Sequence, residues 1–375
     1  MSEYQYIHFA AVDQPLNDKQ LAYMQAQSTR AEVTRWSFEI EYHYSDFRGN
    51  ELEMMRRGYD VHLHYANFGI RTLMFRLPFG LPINEKQFDA YAMEYCIEWT
   101  KDKRGKGGVL SIQADADSDF YDSPYFAFER LKEQLPKIRE ALMAGDIRAF
   151  YLGWLAFNWD DDDLEPPVPA GLKSLPPELA EFADFYQVDR DLLAAASTQS
   201  SDGPSRPIDE EASFDAWLSE QSRGDLQKLM RRVLEGDAVA VRAESLAAIR
   251  NAAGMETWPT TEGTRTLAEL AEQATAKADQ REKRDLAAEQ RKLNNRLAKL
   301  REDPSAAISE AGKLIQERST TSYRQAAKLL SELRDAIGGE KGERLANNAA
   351  KKIVKKHPTL HHVKRAFKDE GVNYK

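Results

Sequence analysis

One continuous stretch, residues 34–78, constrains the fold most strongly because it is the densest apolar and aromatic segment of the chain. Between Trp36 and Tyr44, apolar and polar residues alternate, which is the period of a strand with one buried face. Residues 70–77 alternate in the same way. The stretch therefore predicts two strands of a sheet that the rest of the N-terminal region covers.

The segment between these strands carries helix signals. Asn50 stands three residues before Glu53, the spacing of an N-cap and an acidic residue that satisfy each other's backbone donors. Apolar residues then follow at helical spacing as far as Ala66, and Gly69 offers a stop. We predict a helix up to Gly69, so that strand, helix and strand could form a parallel crossover unit.

Charge and aromatic content change along the chain. Residues 1–200 contain 20 Lys and Arg against 33 Asp and Glu, whereas residues 201–375 contain 32 against 28. Only six of the Phe, Trp and Tyr residues lie beyond residue 200. A chain of 375 residues is long enough for two or three domains. The composition predicts an acidic, aromatic-rich globule followed by a polar helical region.

The predicted fold class is an α+β or α/β N-terminal domain followed by an all-α C-terminal region. Its parts, in chain order, are a domain over 1–196, a linker over 197–211, a helical segment over 212–263, and a long helix with a helical tail over 264–375. The long predicted helix, 264–302, carries leucines every seven residues, at Leu286, Leu293 and Leu300. This spacing indicates a short coiled coil and a route to oligomers.

Several classes of protein are disfavoured by what the sequence lacks. The single cysteine, Cys96, permits neither an internal disulfide nor a cysteine-rich zinc site. The N-terminus does not have the pattern of a secretory signal, and the longest apolar run, 149–159, is too short to span a bilayer. We predict a cytoplasmic protein that associates with no membrane. No serine elbow, phosphate loop or dinucleotide fingerprint is present, so the sequence favours a non-enzymatic protein without a cofactor.

Two parts of the chain resemble known bacterial proteins. The opening SEYQY, together with EYHYSDFRG and ANFGIRTLMFRLP further along, resembles an uncharacterised bacterial family with an SEYQY-type N-terminus. The segments SYRQAAKLLSELRDAI and HPTLHHVKRAFKDEGV resemble the helical tail that follows the zinc finger of bacterial SWIM proteins. The finger itself needs C-x-C and C-x-H, which this chain lacks. The resemblance implies a bacterial protein that associates with a partner through its tail.

One candidate catalytic site lies on the first strand of the central stretch. Glu39, Glu41 and His43 project from one face of that strand, about 6.6 Å apart. Two carboxylates and an imidazole can hold a divalent metal or share acid–base chemistry. The alternative interpretation is the solvent face of a half-buried strand.

A second pair of residues, His62 and His64, has the spacing of two metal ligands only if the segment is a strand. On a helix the two side chains point about 200° apart and cannot bind one ion. Because the capping signals favour a helix, we expect His62 to be a packed histidine rather than a ligand, and we predict no metal site.

The C-terminal end is basic. From Glu343 onward, nine Lys and Arg stand against three acidic residues. The candidate nucleic-acid-binding residues are Lys351, Lys352, Lys355, Lys356, Lys364, Arg365 and Lys368. Such a surface can neutralise phosphates, or it can be a solvated helix face.

Three hypotheses for function follow. The first is a non-enzymatic adaptor of a bacterial cytoplasm that binds a partner protein through its helical C-terminal region. The second is a nucleic-acid-binding protein that uses the basic helices. The third is a metal-assisted hydrolase centred on Glu39, Glu41 and His43.

Overall fold

The protein is described from a computed structural model that covers residues 4–43, 47–105, 107–114, 126–203, 210–236, 238, 241–242, 244–245, 248–249 and 258–374. The chain divides into two compact units, Met1–Ala278 and Asp279–Lys375. The first unit combines a sheet with helices and the second is all-helical, so the predicted fold class is confirmed. No helix among the described residues is both long enough and apolar enough to cross a membrane.

The first unit is built on a seven-stranded sheet, with a separate two-stranded pair beside it. The strands are β1 (Gln5–Ala10), β2 (Glu32–Val33), β3 (Ser37–Tyr42), β4 (Val61–Ala66), β5 (Arg71–Leu77), β6 (Ile97–Lys101), β7 (Gly108–Gln113), β8 (Val168–Pro169) and β9 (Thr260–Thr261). The order in the large sheet is β2-β3-β1-β4-β5-β7-β6, and β8 pairs with β9. Each of the described strand pairs is antiparallel.

The parallel crossover predicted for residues 36–44 and 70–77 is wrong, because β5 runs opposite to β3, with β1 and β4 between them and each adjacent pair antiparallel. β1 lies between β3 and β4 and pairs antiparallel with both, from Gln5 opposite Tyr42 and Ala66 to Ala10 opposite Ser37 and Val61. β3 and β4 thus run in the same direction without touching. The N-terminal strand fills the gap between them because its residues Ile7 and Phe9 are themselves fully buried.

Helices cover both faces of this sheet. Those of the first unit are α1 (Asp18–Gln25), α2 (Glu51–Arg57), α3 (Glu85–Phe88), α4 (Phe126–Met143), α5 (Arg148–Phe157), α6 (Pro177–Phe185), α7 (Arg190–Ala196), α8 (Glu210–Glu220) and α9 (Arg223–Leu234). One core contains residues of β1 and β3 with Met24 of α1 and Met54 of α2. The other core contains Leu63 and Phe75 of β4 and β5 with residues of α4, α5 and α6. The sheet therefore separates two apolar cores.

The helix predicted between Asn50 and Gly69 is much shorter than expected. Asn50 caps α2 as predicted, since its side chain accepts from the Glu53 amide at 2.9 Å. The helix ends at Arg57, with Gly58 as its C-cap. A Cβ atom at Gly58 would lie 2.4 Å from Cδ2 of the buried Leu16 side chain, so a larger residue here would require Leu16 to move. Residues 61–66 are then free to form β4 in the middle of the sheet.

The two compact units divide at Ala278, and the predicted domain bounds stay predictions. Residues 204–209 of the predicted linker lie outside the described residues, but Ser200, before them, is buried and donates to the Pro169 carbonyl at 2.7 Å. The segment predicted as helical, 212–263, contains α8 and α9 but also β9. Residues up to Ala278 belong to the first unit because Leu267 and Leu270 are buried in its core.

The second unit contains the end of one long helix and four further helices. They are α10 (Leu267–Glu302), which begins in the first unit, α11 (Pro304–Gln316), α12 (Thr320–Ile337), α13 (Gly339–Lys356) and α14 (His361–Asp369). The core of this unit is rich in alanine and also contains the larger side chains of Leu330, Ile353 and Phe367. Small side chains let the helices approach closely. Leu286 and Leu293 of α10 remain exposed, so the coiled coil and the oligomer stay predictions.

Candidate metal centre

Three side chains from α2 and β4 converge between α2 and the face of the sheet that this helix covers. Val61, Leu63 and Tyr65 of β4 pack into the core on the α4 side. Strand residues alternate between faces, so His62 and His64 point to the other side, where α2 lies. The Asn50 cap starts α2 at Glu51 and places this residue in the first turn, above the two histidines.

The donor atoms of these side chains are close enough to share one ion. His64 Nδ1 lies 2.9 Å from Glu51 Oε1, and His62 Nε2 lies 3.5 Å from Glu51 Oε2. One ligand atom from each residue lies within 4.8 Å of the other two. Atoms bound to one tetrahedral zinc ion at 2.0–2.1 Å are roughly 3.3 Å apart. The two measured separations lie on either side of this value.

The remaining ring nitrogens are held by acceptors of the protein. His62 Nδ1 lies 3.0 Å from the His8 carbonyl oxygen, which can only accept, so this nitrogen carries the proton. His64 Nε2 donates to Gln5 Oε1 at 3.1 Å. Each histidine therefore directs its other nitrogen towards Glu51. This is the arrangement by which outer hydrogen bonds orient metal-binding histidines.

The cluster is buried in the sheet–helix interface. The His62 side chain is fully buried with its ring stacked on Phe9 at 4.0 Å between centroids, and His64 is 9% exposed. Glu51 is the most accessible member, with 23% of its side chain exposed. Burial alone would raise the pKa of Glu51, but the neighbouring His62 and His64 outweigh it and hold this pKa well below its ordinary value. The carboxylate is therefore ionised at neutral pH.

The chemistry of the donor set is specific. Two histidines and one carboxylate hold zinc in several hydrolytic sites and Fe²⁺ in non-haem oxygenases. With three protein ligands, a four-coordinate ion keeps one position for water or another ligand. Among the residues that the structure describes, no other set of three such side chains is as close together.

The candidate residue Glu39 belongs to a different network on the opposite face of the sheet. Its Oε1 lies 3.1 Å from Lys132 Nζ of α4, 3.0 Å from His8 Nδ1 and 3.0 Å from the Tyr6 hydroxyl. The contact with His8 lowers the pKa of Glu39 to about 2, with burial opposing and Lys132 adding to the effect. Burial and the Glu39 charge raise the pKa of Tyr6 to about 12, against the opposing effect of Lys132.

The other two members of that predicted site are exposed. Glu41 lies at the end of β3, and the His43 ring is 5.5 Å from the Tyr4 ring. Catalysis by Glu39, Glu41 and His43 stays a hypothesis. Sequence reasoning rejected His62 and His64 as a metal pair because it predicted a helix where the structure has β4, and it did not consider Glu51. The signal that could have found them is V-H-L-H-Y-A, in which apolar residues alternate with histidines as in a strand.

The seven basic candidates lie on the last two helices. Lys351, Lys352, Lys355 and Lys356 are exposed on α13. On α14, Lys364 donates to the Pro358 carbonyl at 2.8 Å, Arg365 lies 4.0 Å from Asp369, and Lys368 is exposed. The sequence therefore identified an exposed basic surface, whereas binding of nucleic acid stays a prediction.

Comparison with known proteins identifies no relative: no family model, no curated protein and no solved structure matches the chain. The resemblances to the SEYQY-type family and to the SWIM tail therefore stay expectations.

Proposed function

We propose that the protein binds a divalent transition metal ion through Glu51, His62 and His64. The observation that carries this proposal is the orientation of the two imidazoles. His62 and His64 each have one nitrogen held by an acceptor and the other facing the same carboxylate. If both imidazoles are neutral, each turns a lone pair towards the carboxylate and repels it, and an ion at the centre removes this repulsion.

The alternative occupant is a proton. An imidazolium at His64 would donate to Glu51 and Gln5 at the observed distances. This alternative accounts less well for His62 Nε2, because this buried atom lies 3.5 Å from Glu51 Oε2, longer than an ordinary N–H···O hydrogen bond. A metal ion accounts for both nitrogens at once, so it is the better explanation of the geometry.

The proposal is tested by zinc content. The purified full-length chain is stripped with a chelator, reloaded with zinc, freed of excess ion and measured by elemental analysis. We expect about one zinc per chain in the wild type and none in the double variant Glu51→Gln, His64→Gln, since one lost ligand commonly weakens such sites severely. Circular dichroism shows whether the variant is folded.

A matched control replaces the same residue types elsewhere in the unit. The double variant Glu41→Gln, His43→Gln alters exposed side chains and should keep its zinc. If the control loses the ion and the Glu51 variant keeps it, the site hypothesis based on Glu39, Glu41 and His43 replaces ours. A wild-type chain that retains no zinc contradicts the proposal whatever the variants do.

A further inference from the structure

A second feature, independent of the metal site, is the charge of the second unit. Residues 279–375 contain 23 Lys and Arg against 14 Asp and Glu, a formal net charge of +9, in a chain whose total is −9. The basic residues are therefore concentrated in one compact unit. A net positive charge on a folded unit attracts polyanions and increases the rate at which they associate with it.

The lysines of α13 lie opposite its buried face. Ala346, Ala349, Ala350 and Ile353 pack into the core of the unit. Lys351, Lys352, Lys355 and Lys356, which we call the lysine face, are all exposed. Pairs such as Lys351 and Lys355 are four residues apart, so their side chains are neighbours about 6 Å apart on a rigid helix.

The lysine face has no ion-pair partner in the part of the chain that the structure describes. Among the described residues, no carboxylate lies within salt-bridge distance of these four ammonium groups. The acidic residue at the start of the helix, Glu340, pairs with Arg344 at 2.9 Å. Lys355 and Lys356 lie in the last turn, where the helix dipole favours positive charge, but the dipole effect falls off before Lys351 and Lys352.

We infer that the lysine face binds the phosphate backbone of double-stranded nucleic acid. Lysines that neutralise backbone phosphates release the cations condensed on the duplex, and this release favours binding. Binding to single strands relies on exposed aromatic side chains on which bases stack. The Tyr, Phe and Trp residues of this unit are Tyr323, Phe367 and Tyr374, of which the first two are buried and the third is half-buried. The surface is thus suited to a duplex and to its backbone rather than to its bases.

The experiment measures anisotropy of a labelled 20-base-pair DNA duplex, a matching RNA duplex and a single strand against the full-length chain from 50 to 300 mM salt. The test variant replaces Lys351, Lys352, Lys355 and Lys356 by Gln. The control variant replaces four exposed lysines on α10 and α12 of the same unit by Gln, namely Lys283, Lys292, Lys299 and Lys328. It therefore removes the same amount of charge.

We expect the test variant to bind duplex about 30-fold more weakly at 100 mM salt. The plot of log K against log salt should also become less steep, its slope falling in magnitude by about 3. The control variant should lose less than about 3-fold in duplex affinity, because it changes only the long-range effect of net charge. The DNA and RNA arms show which duplex is preferred.

Equal losses in the two variants would overturn the inference, as would preference for the single strand or no binding at 50 mM salt. Binding of polyglutamate rather than duplex, lost in the test variant, would assign the surface to an acidic protein instead.

Discussion

At the scale of single residues, two acceptors determine what the histidines can do. The His8 carbonyl fixes the proton of His62 on Nδ1, and the Gln5 amide oxygen holds Nε2 of His64. Gln5 is itself buried, with 2% of its surface exposed. These outer contacts set the direction of each free nitrogen, and so the metal site depends on residues that do not bind the ion.

Replacing Gln5 by Leu should weaken metal binding about 10- to 100-fold, because His64 loses the acceptor that orients it. Gln5→Glu keeps an acceptor at the same place and should restore most of the affinity. Competition against a chromophoric zinc chelator measures both affinities. Equal affinities in wild type and Gln5→Leu would show that His64 is oriented by other contacts or does not bind the ion.

The lowered pKa of Glu39 predicts that the stability of the folded state depends on pH in the acidic range. Its pKa is lowered from 4.5 to about 2 by contact with His8, so its ionised form stabilises the folded state. This contribution is complete above the unfolded pKa and is lost as the pH falls through the folded one. Between pH 5 and pH 2, the free energy of unfolding should therefore fall less in Glu39→Gln than in the wild type.

Urea titrations at several pH values measure this difference. Glu41→Gln, an exposed change on the same strand, should follow the wild-type dependence. If Glu39→Gln also follows it, the carboxylate of Glu39 is not held by His8 and Lys132 in solution.

At the scale of elements, one buried ion pair fastens α10 to the first unit. Arg265, two residues before the helix, binds both Glu165 oxygens at 2.9 and 2.7 Å, and Tyr151 also donates to that carboxylate. Glu165 and Arg265 are 2% and 5% exposed. Removing one partner leaves the other charge buried without compensation. The free-energy cost of this is larger than the net stabilisation that the pair provides.

Glu165→Gln should therefore reduce the free energy of unfolding of the first unit by about 3–5 kcal/mol. Tryptophan fluorescence reports on this unit alone, since all six tryptophans lie at or before residue 258. Glu85→Gln removes the exposed pair with Lys101 in the same unit and should change its stability by less than about 1 kcal/mol. A loss below 1 kcal/mol in Glu165→Gln would contradict the role of the ion pair.

Local signals predicted the helix starts well. Asn50 caps a helix as expected, because the capping side chain and the backbone amide that it binds lie three residues apart, and Asn17 and Asn84 cap α1 and α3 in the same way. β6 and β7 pair with each other as sequence neighbours. Such features depend on neighbours in the sequence and can be predicted from it.

The metal centre could not be predicted in the same way. The segment around His62 and His64 fits both a helical and an alternating pattern, and the choice was made by contacts from elsewhere. Leu16 lies where a Cβ atom of residue 58 would point, directly after the end of α2, and β1 inserts beside β4. Glu51 looked like an ordinary acidic residue in a first helical turn, where the dipole favours it.

At the scale of the whole molecule, two units with separate cores and opposite charge share one long helix. The composition predicted their different character. The limit of the first unit at Ala278 depends on burial of Leu267 and Leu270 and on Arg265, which contact residues far away in the sequence. Proposed metal binding belongs to the first unit and the lysine face to the second, so the two proposals can be tested independently.

The most direct test of the metal site is an anomalous difference map from crystals of the zinc-loaded full-length protein, with data on both sides of the zinc edge. The proposal predicts one strong peak about 2.0–2.2 Å from His62 Nε2, His64 Nδ1 and a Glu51 oxygen. A map without a peak at these three side chains, or with the zinc bound by Glu39, Glu41 and His43, would contradict it.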